Sequence, residues 1–191
     1  MIVDDRARSL HELLDGFERV AGMFPDPDEA AHAGAILELI RTTPAPCSSA
    51  QYHPGHLTAS VLLVAPAAGQ VLLIHHPTLG RWLQPGGHID PDDPTISAAA
   101  AREVLEETGL SVQLDPGPFD LDVHPIPTRP DRPGHLHFDV RFLARLDGLP
   151  APGGGEGIVA RWCPRAVAFE LVDDLGLWRM LAKAVAAGWL R

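Results

Sequence analysis

The segment GGHIDPDDPTISAAAAREVLEETGL, residues 86–110, constrains the fold most, because it places a glycine pair and a cluster of acidic residues in one short stretch. Asp93 can cap a helix that has Pro94 in its first position, and Gly109 can supply the left-handed residue that ends it. The segment therefore predicts a helix over about residues 94–108.

Three glutamates of this predicted helix, Glu103, Glu106 and Glu107, fall within an arc of about 100° when successive residues are placed about 100° apart. Like charges at this spacing repel one another unless a cation lies among them. Two interpretations stay open: a solvated helix face, or a site for a hard divalent cation such as Mg²⁺, which prefers oxygen ligands. The turn LQPGGHI before the helix places backbone carbonyl and amide groups beside the carboxylates, which favours the second.

The second half of this segment carries a family signature. From Arg102 onward, REVLEETGL resembles the signature of the Nudix hydrolase superfamily, and every specified position is matched. The resemblance extends to LGRWLQPGGH before the helix and to EGIVARW nearer the C-terminus. Residues 1–45 lie outside it.

The first half of the segment departs from that signature. The family's glycine would stand at His88, one residue after Gly87, and the family's first glutamate would stand at Pro94. One residue has been inserted here, so the role of that glutamate falls to another carboxylate. The candidates to replace it are Asp90, Asp92 and Asp93.

The resemblance implies a fold and an activity. The fold is the α/β/α Nudix sandwich with a mixed β-sheet, and the activity is hydrolysis of a diphosphate linkage in a nucleoside diphosphate derivative, with Mg²⁺ or Mn²⁺ as cofactor. The family pattern implies that Glu103, Glu106, Glu107 and the Gly86 carbonyl bind the metal ion, and that Arg102 orients the carboxylates. The bound cation would neutralise phosphate charge and activate water.

The residue that deprotonates the attacking water is not marked by the signature, since family members take it from the signature or from a later loop. Glu156 lies in the glycine-rich stretch GGGEG, from which its carboxylate could swing over the site. The alternative is an ordinary surface loop. Glu156 is therefore a candidate catalytic residue.

Histidines form a second unusual pattern. His135, His137 and Asp139 alternate in HLHFDV, so a strand would present all three on one face. This pattern is typical of ligands for a transition metal or for substrate phosphate, although histidines also pack on half-exposed sheets. Together with His88, these residues are candidate substrate-binding residues. His53 and His56, which lie near the first predicted strand, are candidates for the same site.

Composition excludes several classes of protein. A formal net charge of −10 argues against binding to a nucleic-acid polymer, because such affinity comes largely from Lys and Arg. The sequence shows no signal-peptide pattern and no apolar stretch of membrane-spanning length. Cys47 and Cys163 fit no disulfide or metal framework. The sequence therefore predicts a cytoplasmic protein.

The remaining segments suggest an extension followed by one domain. Apolar spacing predicts helices over 7–23, 28–40 and 170–190. Strands are predicted at HLTASVLLVA, QVLLIHH, SVQL, FDLDVHPI, LHFDVRFLARL and GIVARWCP. We expect an N-terminal helical extension, residues 1–45, and a Nudix domain, residues 46–191. The extension should dock on the domain or on a second copy of the chain, which would make a homodimer.

Two other classes of function stay open, as does the substrate. The altered first half of the signature would suit a non-catalytic ligand sensor, although the three glutamates speak against it. An enzyme like isopentenyl diphosphate isomerase would share the fold, but it needs a cysteine in a motif that neither Cys47 nor Cys163 shows. Nucleotide sugars and damaged nucleotides both remain candidate substrates, because a fold does not fix a function.

Overall fold

The computed structural model describes residues 26–155 and 157–191. Helices in this part of the chain are α1 (Pro27–Thr42), α2 (Ile96–Thr108), α3 (Arg165–Leu171) and α4 (Leu175–Ala186). The strands are β1 (Gly55–Ala65), β2 (Gln70–His76), β3 (Arg81–Leu83), β4 (Gly86–His88), β5 (Asp120–Ile126), β6 (His135–Arg145) and β7 (Val159–Pro164). The strand order is β3-β2-β1-β6-β5, with β4 paired to β1 and β7 to β2.

By backbone contacts the chain divides into two units, which are described in turn. The first unit comprises the described residues of Met1–Ala59 together with Gly87–Ala99 and Gly117–Arg141. The second comprises Ser60–Gly86, Ala100–Pro116 and Phe142–Arg191. No helix in the described ranges has both the length and the apolar character that crossing a membrane requires.

In the first unit, α1 packs against β5. The carboxylate of Asp26 caps α1 by accepting hydrogen bonds from the backbone amides of Asp28 and Glu29, at 2.9 and 3.1 Å. His32 on this helix donates from Nδ1 to the Leu121 carbonyl of β5, at 3.2 Å. The helix predicted over 28–40 is thus confirmed, whereas the one predicted over 7–23 lies outside the described residues.

The antiparallel pair β5–β6 carries polar residues that oppose one another across the two strands. Asp120 is opposite Arg141, Asp122 is opposite Asp139, and His124 is opposite His137. Residues opposite each other in an antiparallel pair share a face, and alternate residues of each strand do too. One face of this two-stranded ladder therefore carries all six polar side chains.

Arg141 is the centre of a buried ionic cluster on that face. Its side chain is 2% exposed. The guanidinium donates to Asp139 at 2.9 Å, to Asp122 at 3.0 Å and to Asp120 at 3.4 Å. Thr58 also donates to Asp139, at 3.1 Å. The cluster thus gathers three carboxylates around one guanidinium.

In the second unit, β2 is hydrogen-bonded to three other strands. It pairs antiparallel with β1, β3 and β7, and its run VLLI is buried, as is VLLVA of β1. Continuous apolar runs of this length suit strands covered on both faces. Helix α3 contacts both β7 and β2.

The structure corrects the C-terminal helix. The single helix predicted over 170–190 is wrong: α3 ends at Leu171 and α4 begins at Leu175. Asp174 interrupts the pattern because its carboxylate accepts a hydrogen bond from the Leu177 amide at 2.8 Å, which makes it the cap of a new helix. Trp178 on α4 is 49% exposed.

Two further expectations also need correction. The run SVQL, predicted as a strand, has no regular structure. Helix α2 begins at Ile96 rather than 94, because Thr95 caps it: its hydroxyl accepts from the Ala98 amide at 3.0 Å and its carbonyl accepts from the Ala99 amide at 3.1 Å. Asp93 accepts instead from the Asp90 amide, at 2.8 Å.

Candidate active site

Helix α2 displays the acidic residues because its two sides differ in composition. Ala99, Ala100 and Val104 are fully buried, and they fix the orientation of the helix. The helix ends at Gly109, whose φ of +68° is in the left-handed region that favours glycine. Glu103, Glu106 and Glu107 lie in the second unit on the less buried side of the helix.

Arg102 links two of the three glutamates. Its Nη1 atom donates to Oε1 of Glu103 and to Oε2 of Glu106, both at 3.0 Å. The side chain of Glu103 is 14% exposed and that of Glu106 is 56% exposed. Arg102 therefore supplies one positive charge between two carboxylates and holds them side by side.

Glu107 contacts the glycine turn and has a perturbed carboxyl group. The backbone amide of Gly86 donates to its Oε2 at 2.8 Å, so the glycine turn and the acidic helix are brought together. Burial, together with the negative charges of Glu103 and Glu106, raises the pKa of Glu107 to about 7, whereas the Gly86 hydrogen bond opposes the shift. The cluster is thus deficient in positive charge at this position.

The glycine-rich segment before Glu156 packs against the C-terminal end of α2. The amide of Gly153 donates to the Thr108 carbonyl at 2.8 Å. A Cβ atom added to Gly154 would lie 3.0 Å from the Glu107 carbonyl oxygen, and one added to Gly155 would lie 2.9 Å from that of Glu106. Glu156 itself falls outside the described residues.

This close approach predicts a difference between neighbouring glycines. Gly154→Ala should destabilise the protein by about 1–3 kcal/mol, because its Cβ atom would also lie 2.7 Å from the Ile158 carbonyl oxygen. Gly153→Ala is the matched control, since nothing lies within 4 Å of its added Cβ atom. Urea unfolding of both variants measures the difference. Equal stability would contradict the packing described.

The first unit brings most of the predicted histidines together, and His56 is among them. The ring centroids of His56 and His137 are 4.9 Å apart, those of His56 and His88 are 5.1 Å apart, and those of His88 and His137 are 5.4 Å apart. His135 stacks on His56 with centroids 5.0 Å apart. The sequence pattern gave His56 only weak support, through its place beside the first strand.

Other candidates lie elsewhere or have other partners. Both carboxylate oxygens of Asp139 accept hydrogen bonds, one from Thr58 and one from Arg141. His53 is exposed. His124 was not predicted: its Nδ1 lies 2.9 Å from Asp122 and its ring centroid is 5.6 Å from that of His137. Its alternation with Asp122 on one strand was the signal that could have found it.

The cysteines are both inaccessible. Cys47 and Cys163 are 1% and 0% exposed. Burial raises the pKa of the Cys163 thiol, which favours its protonated form. Neither thiol has the exposure that a reactive cysteine requires.

Comparison with known sequences gives one match to a family and several to parts of characterised proteins. The NUDIX domain family matches residues 54–183. Phosphatase NudJ of Escherichia coli strain K12 is 43% identical over 60 residues, which cover 30% of this chain and 37% of that protein. NudJ of Shigella flexneri matches to the same extent. The chain therefore spans little more than a third of the length of these curated relatives.

Comparison with solved structures concerns the fold. The dihydroneopterin triphosphate pyrophosphohydrolase of E. coli aligns with a TM-score of 0.57 at 17% identity, over 69% of this chain and 95% of that one. A Caenorhabditis elegans Ap4A hydrolase aligns at 0.55 and 20%, over 69% and 96%. The NUDIX domain of Shewanella oneidensis NrtR, solved with ADP-ribose, aligns at 0.53 and 20%, over 79% and 97%. These similarities confirm the mixed α/β fold expected from the sequence.

Proposed function

The chain belongs to the Nudix family, and from this premise we propose that it is a metal-dependent hydrolase that cleaves a diphosphate linkage in a nucleoside diphosphate derivative. One observation carries the proposal. Arg102 holds Glu103 and Glu106 side by side, while Glu107, on the same helix, has a pKa raised to about 7 by burial and by those two carboxylates.

The donor set fits Mg²⁺ or Mn²⁺. Carboxylate oxygens are the ligands that these hard cations prefer, and Glu103 and Glu107 stand at positions i and i+4 of one helix. With Glu106 and the Gly86 carbonyl, they are the residues that would hold the ion. When bound, the cation neutralises charge on the diphosphate and lowers the pKa of the attacking water.

The remaining roles belong to the protein's own groups. Arg102 orients Glu103 and Glu106 through its two hydrogen bonds. The Gly86 amide fixes Glu107. Glu156 is our candidate for the base, supported by the close approach of its neighbour Gly155 to the backbone of Glu106. As a base it would accept the proton of the attacking water.

The substrate class is proposed from shared chemistry. The proteins similar in fold are described as acting on dihydroneopterin triphosphate or Ap4A, or as binding ADP-ribose, and all of these contain a diphosphate linkage. We infer that this chain takes a small molecule of the nucleotide-sugar or damaged-nucleotide type. Its net charge of −10 makes the bound cation the main attraction for such an anion.

A product analysis tests the proposal. The full chain is incubated with a panel of nucleoside diphosphate sugars, dinucleoside polyphosphates and oxidised nucleoside triphosphates, with Mg²⁺ or Mn²⁺ and with chelator. We expect metal-dependent release of a mononucleotide from at least one of them. Ligand binding without product formation across the panel would favour a sensor instead.

The raised pKa of Glu107 predicts how stability varies with pH in the absence of metal. Its folded pKa, about 7, lies above its ordinary value, so the folded state binds the proton more tightly than the unfolded state. The contribution of Glu107 to the free energy of unfolding is fully present below about pH 4.5 and is lost as the pH rises through about 7. Above that pH, Glu107→Gln should be more stable than the wild type by up to about 3 kcal/mol.

Thermal unfolding in chelator between pH 5 and pH 8 provides the measurement. Millimolar Mg²⁺ should stabilise the wild type more than the variant, because a ligand that binds only the folded state stabilises it by mass action. Parallel pH curves for the two proteins in chelator would show that Glu107 has an ordinary pKa.

A further inference from the structure

The histidine cluster of the first unit is a separate candidate site. His56, His88 and His137 each offer a ring nitrogen, and these three nitrogens all lie within 4.8 Å of one another. The residues come from three separate strands: β1, β4 and β6. This spacing brings the three nitrogens near the separation that one shared ion requires, since zinc–histidine bonds are about 2.0–2.1 Å long.

The hydrogen bonds of His56 determine which of its nitrogens is available. Its Nδ1 lies 3.0 Å from the Gln51 carbonyl oxygen, which can only accept, so Nδ1 carries the proton. Nε2 of the neutral ring then presents a lone pair. That atom is buried, makes no hydrogen bond, and belongs to a residue that is 1% exposed.

His135, which stacks on His56, has the same arrangement of a bonded Nδ1 and an unbonded Nε2. His135 donates from Nδ1 to the Pro133 carbonyl at 2.9 Å, and its Nε2 is likewise buried without a partner. Nε2 of His137 is also buried without a partner. A buried polar atom that lacks a hydrogen bond costs about 1–3 kcal/mol, so a ligand that contacts several of these atoms would stabilise the cluster.

A cation suits these nitrogens better than a phosphate does. A phosphate oxygen needs donors, but the Nε2 atoms of His56 and His135 are acceptors in their neutral rings. Protonation would make them donors, but it would place several positive charges on rings whose centroids are only 4.9 to 5.0 Å apart. Neutral imidazole with its second nitrogen bonded to a carbonyl is the usual form of a metal-binding histidine.

We propose that His56, His88 and His137 bind a borderline transition-metal cation of the Zn²⁺ class at a site distinct in ligand type from the carboxylates of α2. Nitrogen ligands select this class over Mg²⁺, which prefers oxygen. His135 holds His56 by stacking, and Asp122 holds His124 against His137. Arg132 opposes a cation near His56 and His88, and the carboxylate of Asp90 offsets part of that effect at His88.

Three histidines also leave a coordination position open. Zinc sites with three protein ligands keep a fourth position for water or substrate, whereas closed structural sites have four. No fourth ligand joins these three histidines among the residues that the structure describes. The ion would therefore be able to bind an anionic ligand directly.

Metal titration of the full chain tests the site. Chelator-treated protein is titrated with Zn²⁺, and separately with Co²⁺ while the visible spectrum is recorded, both in excess Mg²⁺. We expect one equivalent of Zn²⁺ to bind and the Co²⁺ protein to show tetrahedral d–d absorption. The double variant Glu103→Gln/Glu107→Gln should bind Zn²⁺ as the wild type does, since its histidines are intact.

Histidine variants identify the ligands. His88→Gln and His137→Gln should each weaken Zn²⁺ binding by at least about 100-fold, more than the loss of a supporting residue costs. His75→Gln is the control, because His75 lies in the second unit against Trp82. Unchanged binding in the folded histidine variants, or loss of binding in the double glutamate variant, would overturn the proposal.

Two measurements keep the test decisive if a histidine variant does not fold. Absence of tetrahedral Co²⁺ absorption in the wild type would overturn the proposal without any variant. Inorganic phosphate is the second probe, offered to metal-free wild type. Phosphate binding that Zn²⁺ fails to strengthen would identify an anion site in place of the metal site.

Discussion

Glu103→Gln and Glu107→Gln are each expected to reduce metal-dependent turnover by about 10³-fold while leaving the protein folded. Glutamine keeps the length and the helix-forming character of the side chain, but it removes a charged ligand. Loss of several kcal/mol of metal-mediated transition-state stabilisation corresponds to this reduction. In Glu107→Gln the side-chain carbonyl can still accept the hydrogen bond from the Gly86 amide, so the local structure should persist.

The matched control is Glu170→Gln, an exposed glutamate on α3. It removes the same charge outside the acidic helix and should leave turnover unchanged. The rate of product release at saturating Mg²⁺ and the melting temperature are measured on the same preparations. Full activity in a folded Glu107→Gln variant would mean that the glutamates are an ordinary solvated face.

The second large effect is expected on stability. Arg141→Met should destabilise the protein by about 3–5 kcal/mol, because it leaves three buried carboxylates without their shared positive charge. The loss should shrink as the pH falls. Protonation removes the charge of a buried carboxylate that has lost its cationic partner, so acid should relieve part of this penalty.

Arg145→Met provides the comparison on the same strand. The Arg145 side chain is 48% exposed and pairs with Asp115 at 2.9 Å, so its loss should cost no more than about 1 kcal/mol. Urea unfolding at neutral and at acidic pH measures both variants. Similar losses for Arg141→Met and Arg145→Met would show that the buried cluster contributes little.

The sequence predicted best those features that depend on neighbours along the chain. The continuous apolar runs of β1 and β2 and the left-handed glycine that ends α2 are local signals, and each was confirmed. The fold class followed from REVLEETGL, since a segment that matches every specified position of a family signature identifies the family and therefore its fold. The roles of Glu103, Glu106 and Glu107 remain predictions, although the structure places them on one helix with Arg102.

The missed features depend on competition between local signals or on contacts between distant segments. Asp93 and Thr95 were both able to cap α2, and the hydroxyl of Thr95 took that role. Asp174 ended one helix and began another within a single apolar pattern. His56 and His137 are far apart in sequence, so only the pairing of strands could reveal how close their rings lie.

The register of β5 and β6 has a consequence for how the chain finds its fold. The pairs of Asp120 with Arg141 and of Asp122 with Asp139 share one face with His124 and His137. Sliding one strand by a single residue would turn its polar side chains to the opposite face and separate Asp120 and Asp122 from the guanidinium of Arg141. Apolar strands tolerate such slips far better. We therefore expect misaligned pairings of these two strands to be unstable during folding, so that the buried charges select the native strand alignment.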